Sequence, residues 1–327
     1  MKVIKDFGGD AIWGVLPYIQ KTFDELSDNN DIENAFFNGV SFIYDENLRN
    51  QYKDYKRRVL LAHWSPCEFL RTKNYFHFDA YEFFTDVYCV CPYTCKFMNE
   101  YFGYEKFKYI PYPYTNYSVS AFGHYDALCS WFGSIHGQDH ISAIELLSKF
   151  KYKFITSQQN TWMHHPYEYN RCTHVNISTA QKLIEVSKTK SSLTFNKLYM
   201  NDRSVYNADH KNIHHDAFNY WGEKILPQFK VRTHEIATCK SLILAYKDQW
   251  NLIEDFYEPN KHFIYFETFA ELEDILHDVD KNFDKYQSII DSAFEEVKKY
   301  SVEKMFEYMK TNDNKLVTWK NLTCATK

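Results

Sequence analysis

Between Lys230 and Phe266 the run KVRTHEIATCKSLILAYKDQWNLIEDFYEPNKHFIYF alternates helical spacing with short apolar stretches and predicts helix, strand, helix, strand in close succession. Arg232 and Glu235 lie three apart and so share one helix face. SLILAY is short enough for a buried strand, and the polar loop Asp248-Gln249-Trp250-Asn251 precedes the helical run LIEDFY, whose first amides are open to an anion. A turn at Glu258-Pro259-Asn260 leads to the buried strand HFIYF and then to the acidic amphipathic helix FAELEDILHDV. This is half of a doubly wound α/β domain.

Upstream, KVIKDF predicts a strand, Gly8-Gly9-Asp10 a turn, and AIWGVLPYIQKTFDEL a helix despite Pro17. VSFIYD and RRVLLAHW read as strands, the second ending at His63-Trp64-Ser65-Pro66-Cys67-Glu68. VYCVCPYTCKFMNEYFGYEKFKYIPYPY reads as strand, helix and return strand, and TNYSVSAFGHYD as a linker. ALCSWFG is a strand, followed by the loop Ser134-Ile135-His136-Gly137-Gln138 and the helix DHISAIELLSKF, then the strand KYKFITS. The last amphipathic run, FDKYQSIIDSAFEEVKKYSVEKMFEYMKTN, predicts helix throughout.

A chain of 327 residues exceeds the length at which one core keeps growing, so two domains are expected. The net charge of -5 and the absence of a long basic run speak against a nucleic-acid partner. Lys53, Lys56, Arg57 and Arg58 read as one solvated helix face, or as a contact to a phosphate-bearing acceptor. No leader pattern and no membrane-length apolar run is seen, which predicts a cytoplasmic protein whose eight cysteines are reduced thiols. Aromatics at 19% supply core and, in places, stacking surfaces for bases or sugar rings.

Polar groups at the carboxyl ends of parallel strands face the ligand crevice, which makes His63 a candidate base, beside Asp10 and Asp79, with one of the three at most in that role. His63 read by itself is more often a structural histidine than a base. Gly133 and Gly137 permit close approach of a ligand, and Ser134 and His136 could bind a pyrophosphate, although neither a Walker loop nor a dinucleotide fingerprint is present. Metal signatures are weak. Cys89, Cys91 and Cys95 are read as packing, the adjacent pairs His164-His165 and His214-His215 point to opposite faces of an extended chain, and Asp274 with Glu271 or Glu273 reads as an exposed helix face. No metal ion and no cofactor is expected.

The segment from Lys230 resembles the donor domain of GT-B glycosyltransferases, especially the spore-maturation (CgeB-like) group, in its R-x-x-E helix start and the strand and loop that follow. Weaker similarity extends over most of the chain. The resemblance implies two Rossmann-like domains facing across a cleft: an acceptor-side domain at 1–118, a donor domain at 119–300, and a C-terminal helix and tail at 301–327 that cross back to the first domain. It implies that Arg232 pairs with the diphosphate of a nucleotide-sugar donor, that Glu235 accepts from the ribose hydroxyls, and that Asp248, Gln249, Trp250 and Asn251 lie near phosphate or sugar. The acceptor would be a hydroxyl of a glycan or glycoconjugate. Many retaining members carry a second glutamate eight positions before the ribose-binding one; here that position is Pro227, with Glu223 a further turn away, so stereochemistry stays open. The family's A-C-G turn appears as Thr238-Cys239-Lys240, which sends Lys240 to solvent or to the donor. Beside a transferase, the same pocket fits a nucleotide-sugar epimerase or hydrolase, or a sugar-nucleotide binding module without turnover.

Overall fold

The computed structural model describes residues 1–5, 16–38, 42, 45–62, 78–89, 92–110, 113–114, 119, 123–133, 135, 138–156, 171–199 and 225–311. Their contacts divide into two compact units, one holding the described residues up to Ile110 together with Val302–Thr311, the other those from Pro113 to Tyr199 and from Ile225 to Ser301.

The first unit is built on a parallel sheet in the order β1-β2-β3-β4-β5, with β1 Lys2–Lys5, β2 Asn34–Asn38, β3 Arg57–Ala62, β4 Asp86–Cys89 and β5 Phe107–Tyr109. Alternation along each strand gives the sheet two buried faces. Ile4, Ala35, Phe37, Leu60, Val87 and Cys89 pack with Met98 and Cys95 of the helix Pro92–Phe102 and with Tyr81 of the 3-10 turn Phe78–Phe83. On the opposite face Phe36 meets Phe23 of the helix Leu16–Leu26 at 4.9 Å between ring centroids. Pro17 falls in the first turn of that helix, where its missing N–H has no intrahelical partner to lose.

Two expectations change here. The second strand is Asn34–Asn38 rather than VSFIYD, and Phe42 sits in a helical turn with its ring 5.1 Å from that of Phe37. Residues five apart point to opposite faces of a continuous strand, so two rings in one core do not fit a single strand through Phe37 and Phe42. The basic cluster is not a helix face either. Arg57 and Arg58 open β3; Arg57 pairs with Asp86 at 3.2 Å and donates to the Met309 carbonyl at 2.6 Å, while Arg58 stacks on Phe83.

The predicted final helical run is broken. A 3-10 turn at Phe283–Tyr286, the helix Gln287–Val297 and a second 3-10 turn at Lys298–Tyr300 belong to the second unit; extended Ser301 then ends the run, and the helix Val302–Thr311 belongs to the first. Its Phe306 packs 5.5 Å from Phe23 and 6.1 Å from Phe36, and its Tyr308 packs 5.7 Å from Tyr88. The C-terminal helix thus completes the core that the first residues of the chain begin.

The second unit carries a six-stranded parallel sheet in the order β13-β12-β9-β6-β7-β8. Its strands are β6 Ala127–Phe132, β7 Tyr152–Thr156, β8 His174–Val175, β9 Thr189–Thr194, β12 Leu242–Tyr246 and β13 Ile264–Phe266; β10 Lys197–Tyr199 and β11 Ile225–Pro227 form a separate antiparallel pair. The chain winds outward from β6 in one direction, then returns to β9 and winds outward in the other. That reversal places the topological switch point between β6 and β9, where doubly wound sheets open a crevice at the strands' carboxyl ends. The helices Gln138–Leu147 and Phe269–Lys281 cover one face, and Thr179–Ser187, Val231–Thr238 and Gln287–Val297 the other. Among the described residues no helix is long and apolar enough to cross a membrane.

Candidate functional site

At the switch point β6 runs out in Trp131, Phe132 and Gly133, and the helix Val231–Thr238 approaches with its first turn. Lys230, at the N-cap, makes no side-chain capping bond. Asn196, buried just beyond β9, does that work from outside: its Oδ1 accepts from the Lys230 amide at 2.9 Å and from the Thr233 hydroxyl at 3.1 Å. A second hydroxyl contact, Thr194 to Thr233 at 3.0 Å, fixes the helix on the end of β9.

This fixing presents Arg232. Its guanidinium carbon stands 4.3 Å from the centroid of the Trp131 ring and 5.4 Å from that of Phe132. Gly133 makes room for it. Its φ is +105°, and a Cβ there would fall on the guanidinium. Among the described residues Arg232 has no hydrogen-bond or ion-pair partner. Burial pulls its pKa down to about 10, an effect that Glu235 opposes, so it is a cation at neutral pH. A cation stacked on aromatic faces with its N–H donors uncommitted is an anion site in waiting.

Glu235, one turn on, is buried and is held by a residue that the sequence patterns did not single out: Nζ of Lys182 lies 2.6 Å from its Oε1 and 5.4 Å from the Phe132 ring centroid. Lys197, also unanticipated, is buried with its ammonium 2.7 Å from Asp139 and 4.0 Å from the Tyr246 ring centroid. Neither position carries a spacing signal of its own: Lys182 is a lone cation on an ordinary amphipathic helix, and Lys197 lies on a strand of three residues.

Asp248 shapes the loop after β12. Its Oδ1 accepts from the amides of Trp250 and Asn251 at 2.9 Å each, and Asn251 takes a left-handed φ of +49°. Burial raises the Asp248 pKa against those two bonds and the field of Lys197. Asn251 leaves its buried Oδ1 unpartnered among the described residues, while Gln249 is exposed and Trp250 partly so. Lys240 turns outward with φ +53° and pairs with Asp291 at 3.2 Å. Pro227 closes β11, opposite Lys197.

Of the other candidates, Ser134, His136, Gly137, His63, Asp10, Glu223, Cys91 and the two histidine pairs lie outside the described residues; Ile135, between Ser134 and His136, is buried in the core. Asp79 belongs to the 3-10 turn Phe78–Phe83. Cys89 and Cys95 are packed in the first core. Among the described residues no group of three or more His, Cys, Asp or Glu is placed to hold a metal ion.

A doubly wound domain with its cation at the switch point, preceded by a second parallel α/β unit that the C-terminal helix completes, is the GT-B glycosyltransferase architecture. Residues 160–309 match the family described as glycosyl transferase-like, and they include Lys182, Arg232, Glu235 and Asp248. The solved structures that share the fold include TarM from S. aureus in complex with UDP (TM-score 0.54, 12% identity, covering 90% of this chain and 57% of that one). Another is the pneumococcal O-GlcNAc transferase GtfA with UDP and GlcNAc (0.52, 9% identity, 91% and 59%). A third is HepE from Anabaena with UDP and glucose (0.53, 12% identity, 91% and 81%). The chain therefore spans little more than half the length of TarM and GtfA. No curated protein matches it in sequence. The chain thus has the GT-B fold, and its second half carries the match to the glycosyl transferase-like family.

Proposed function

We propose that this protein transfers a sugar from a nucleoside diphosphate sugar, with UDP or GDP as the nucleotide, to a hydroxyl of a glycan or glycoconjugate. The observation that carries this is Arg232: a stacked guanidinium without a partner among the described residues, at the switch point of a doubly wound sheet, beside a glycine that keeps the space open. The diphosphate would sit against Arg232. As the bond from the sugar carbon to the diphosphate oxygen breaks, negative charge grows on that oxygen, and a preorganised cation stabilises the transition state more than the ground state. Glu235 would accept from the ribose hydroxyls, and the loop Asp248 to Asn251 would border phosphate or sugar. With the charge met by Arg232 and backbone amides, the transfer is proposed to need no metal. The acceptor hydroxyl loses its proton as the new bond forms, and His63, Asp10 and Asp79 are the candidates to take it. Pro227 denies the site the second glutamate of many retaining members, so the stereochemical outcome is left to product analysis. The proposed setting is cytoplasmic, in line with the buried thiols of Cys129 and Cys239.

Calorimetry with a panel of UDP- and GDP-sugars tests the nucleotide, and product analysis with offered acceptors tests the transfer. Binding that Arg232→Ala abolishes, together with glycosylated product, is expected. Free sugar or an epimer would point instead to a hydrolase or epimerase, and binding without turnover to a binding module. Absence of binding to every donor overturns the proposal.

A further inference from the structure

Resting on the nucleoside diphosphate reading above, we propose that Lys182 is a positioning residue for donor recognition: it fixes one oxygen of Glu235 so that the other faces the ribose hydroxyls. Glu235 has two carboxylate oxygens, and Lys182 occupies only Oε1, at 2.6 Å. Among the described residues Oε2 has no partner. Arg232, three residues back on the same helix, does not take it, although the charge of Glu235 helps to keep the guanidinium protonated. A carboxylate pinned by one oxygen to an ammonium has lost its rotation, which is what an acceptor for two adjacent hydroxyls requires.

Lys182 is itself held, unlike an ordinary surface lysine. Its helix, Thr179–Ser187, opens on a capping box in which the Ser178 hydroxyl accepts from the Gln181 amide at 3.2 Å and the Gln181 side chain accepts from the Ser178 amide at 3.0 Å. Leu183 and Val186 bury the inner face of that helix, and the Cys239 thiol donates to the Leu183 carbonyl at 3.3 Å, tying it to the end of the Arg232 helix. The ammonium also lies over Phe132, next to Gly133. Three elements therefore converge to place one lysine on one carboxylate oxygen, a costly arrangement for a long flexible side chain if charge neutralisation were its only use.

The test uses UDP and 2′-deoxy-UDP as probes on wild type, Lys182→Met, Lys182→Arg and Glu235→Ala, with GDP and 2′-deoxy-GDP in parallel, read by calorimetry. Wild type should prefer the ribonucleotide by about tenfold, the worth of one hydrogen bond to a charged group. Lys182→Met and Glu235→Ala should each bring the ratio to near one, with 2′-deoxynucleotide affinity little changed in Lys182→Met, and Lys182→Arg should restore it. A thermal melt confirms that each variant is folded. Preserved discrimination in folded Lys182→Met overturns the role, as does an equal loss for both nucleotides. If wild type binds none of the four nucleotides, the nucleoside diphosphate reading itself fails, which is a distinct result.

Discussion

Arg232 lays its guanidinium over Trp131, 4.3 Å from the ring centroid, and makes no hydrogen bond with any described residue. An arginine held for its fold alone would find a carboxylate nearby, and the one that shares its helix face, Glu235, is taken by Lys182. Arg232→Ala should therefore cost donor turnover roughly 10²- to 10³-fold, the effect of losing one preorganised charge contact. Loss of a mere surface pair within a helix would cost only about 0.3 to 0.5 kcal/mol of stability and leave nucleotide affinity alone. Arg232→Lys should fall between wild type and alanine, because an ammonium keeps the charge but not the planar stack. Calorimetric titration of the three proteins with UDP separates these outcomes; equal affinities would sink the assignment.

Gly133 is the other half of that geometry. Its φ of +105° is disfavoured for any L side chain, and a Cβ would meet the guanidinium carbon at 3.3 Å and its terminal nitrogen closer still. Gly133→Ala should lower stability by about 1 to 3 kcal/mol through backbone strain and should weaken nucleotide binding by displacing Arg232. Urea unfolding gives the first number and thermal shift with UDP the second. A variant that melts like wild type and binds like wild type would show that the loop yields at no cost.

The middle of the second sheet is made of hydroxyls. Ser192 Oγ lies 2.6 Å from Ser130 Oγ, 2.9 Å from Ser241 Oγ and 3.3 Å from Thr189 Oγ1, all buried. Removing one member leaves its partners short of a bond in a dry place, so Ser192→Ala should destabilise by about 1 to 3 kcal/mol although it deletes a single oxygen. Chemical denaturation of Ser192→Ala beside the double variant Ser130→Ala/Ser192→Ala gives the coupling between them. Strict additivity would argue against a network.

The same hydroxyls explain what could and could not be seen in the sequence. β6, β12 and β13 were legible because ALCSWF, LILAY and IYF are apolar enough to announce buried strands. β9, the strand next to the switch point, was not: Thr-Lys-Ser-Ser-Leu-Thr carries one aliphatic residue, and its burial is made tolerable by partners on other strands that no local pattern reveals. Arg232 and Glu235 were legible through their spacing and the family resemblance. Lys182 and Asn196 were hidden, since each acts on the Arg232 helix from a distant point in the chain. The strand expected at VSFIYD shows the converse error, since Phe42, at its centre, is helical and packs on Phe37 of the strand before it.

Burial of His234 makes a pH prediction. Its ring is enclosed by Phe229, Phe256, Tyr257 and Tyr300, its Nδ1 is 2.7 Å from the Tyr257 hydroxyl, and burial alone pushes its pKa down to about 3. The native ring stays neutral where the unfolded one, with a pKa near 6.5, takes up a proton. The stability it contributes is present above pH 6.5 and is lost as pH falls from there toward 3, at no more than about 1.4 kcal/mol per pH unit. Burial also lowers the pKa of His262, which adds in the same direction. His234→Phe should flatten the dependence of unfolding free energy on pH between 6.5 and 4.5 by close to one proton. An unchanged slope would mean that the ring is already protonated in the native state, or that it is not buried.

Phe306 offers a test of how the chain ends are joined. Its ring fills the space between Phe23 and Phe36 on one face of the first sheet, 3% exposed, and it arrives there on a helix that follows the break at Ser301. Phe306→Ala leaves a cavity in that core and should cost about 3 to 5 kcal/mol. Arg232, Trp131, Gly133, Lys182 and Glu235 all belong to the second unit, so the loss should fall on one part of the molecule. In calorimetric melts with and without UDP, the variant should show an earlier transition that nucleotide does not move, and a later one that it does. A single transition shifted by both the mutation and the nucleotide would show that the two units unfold as one.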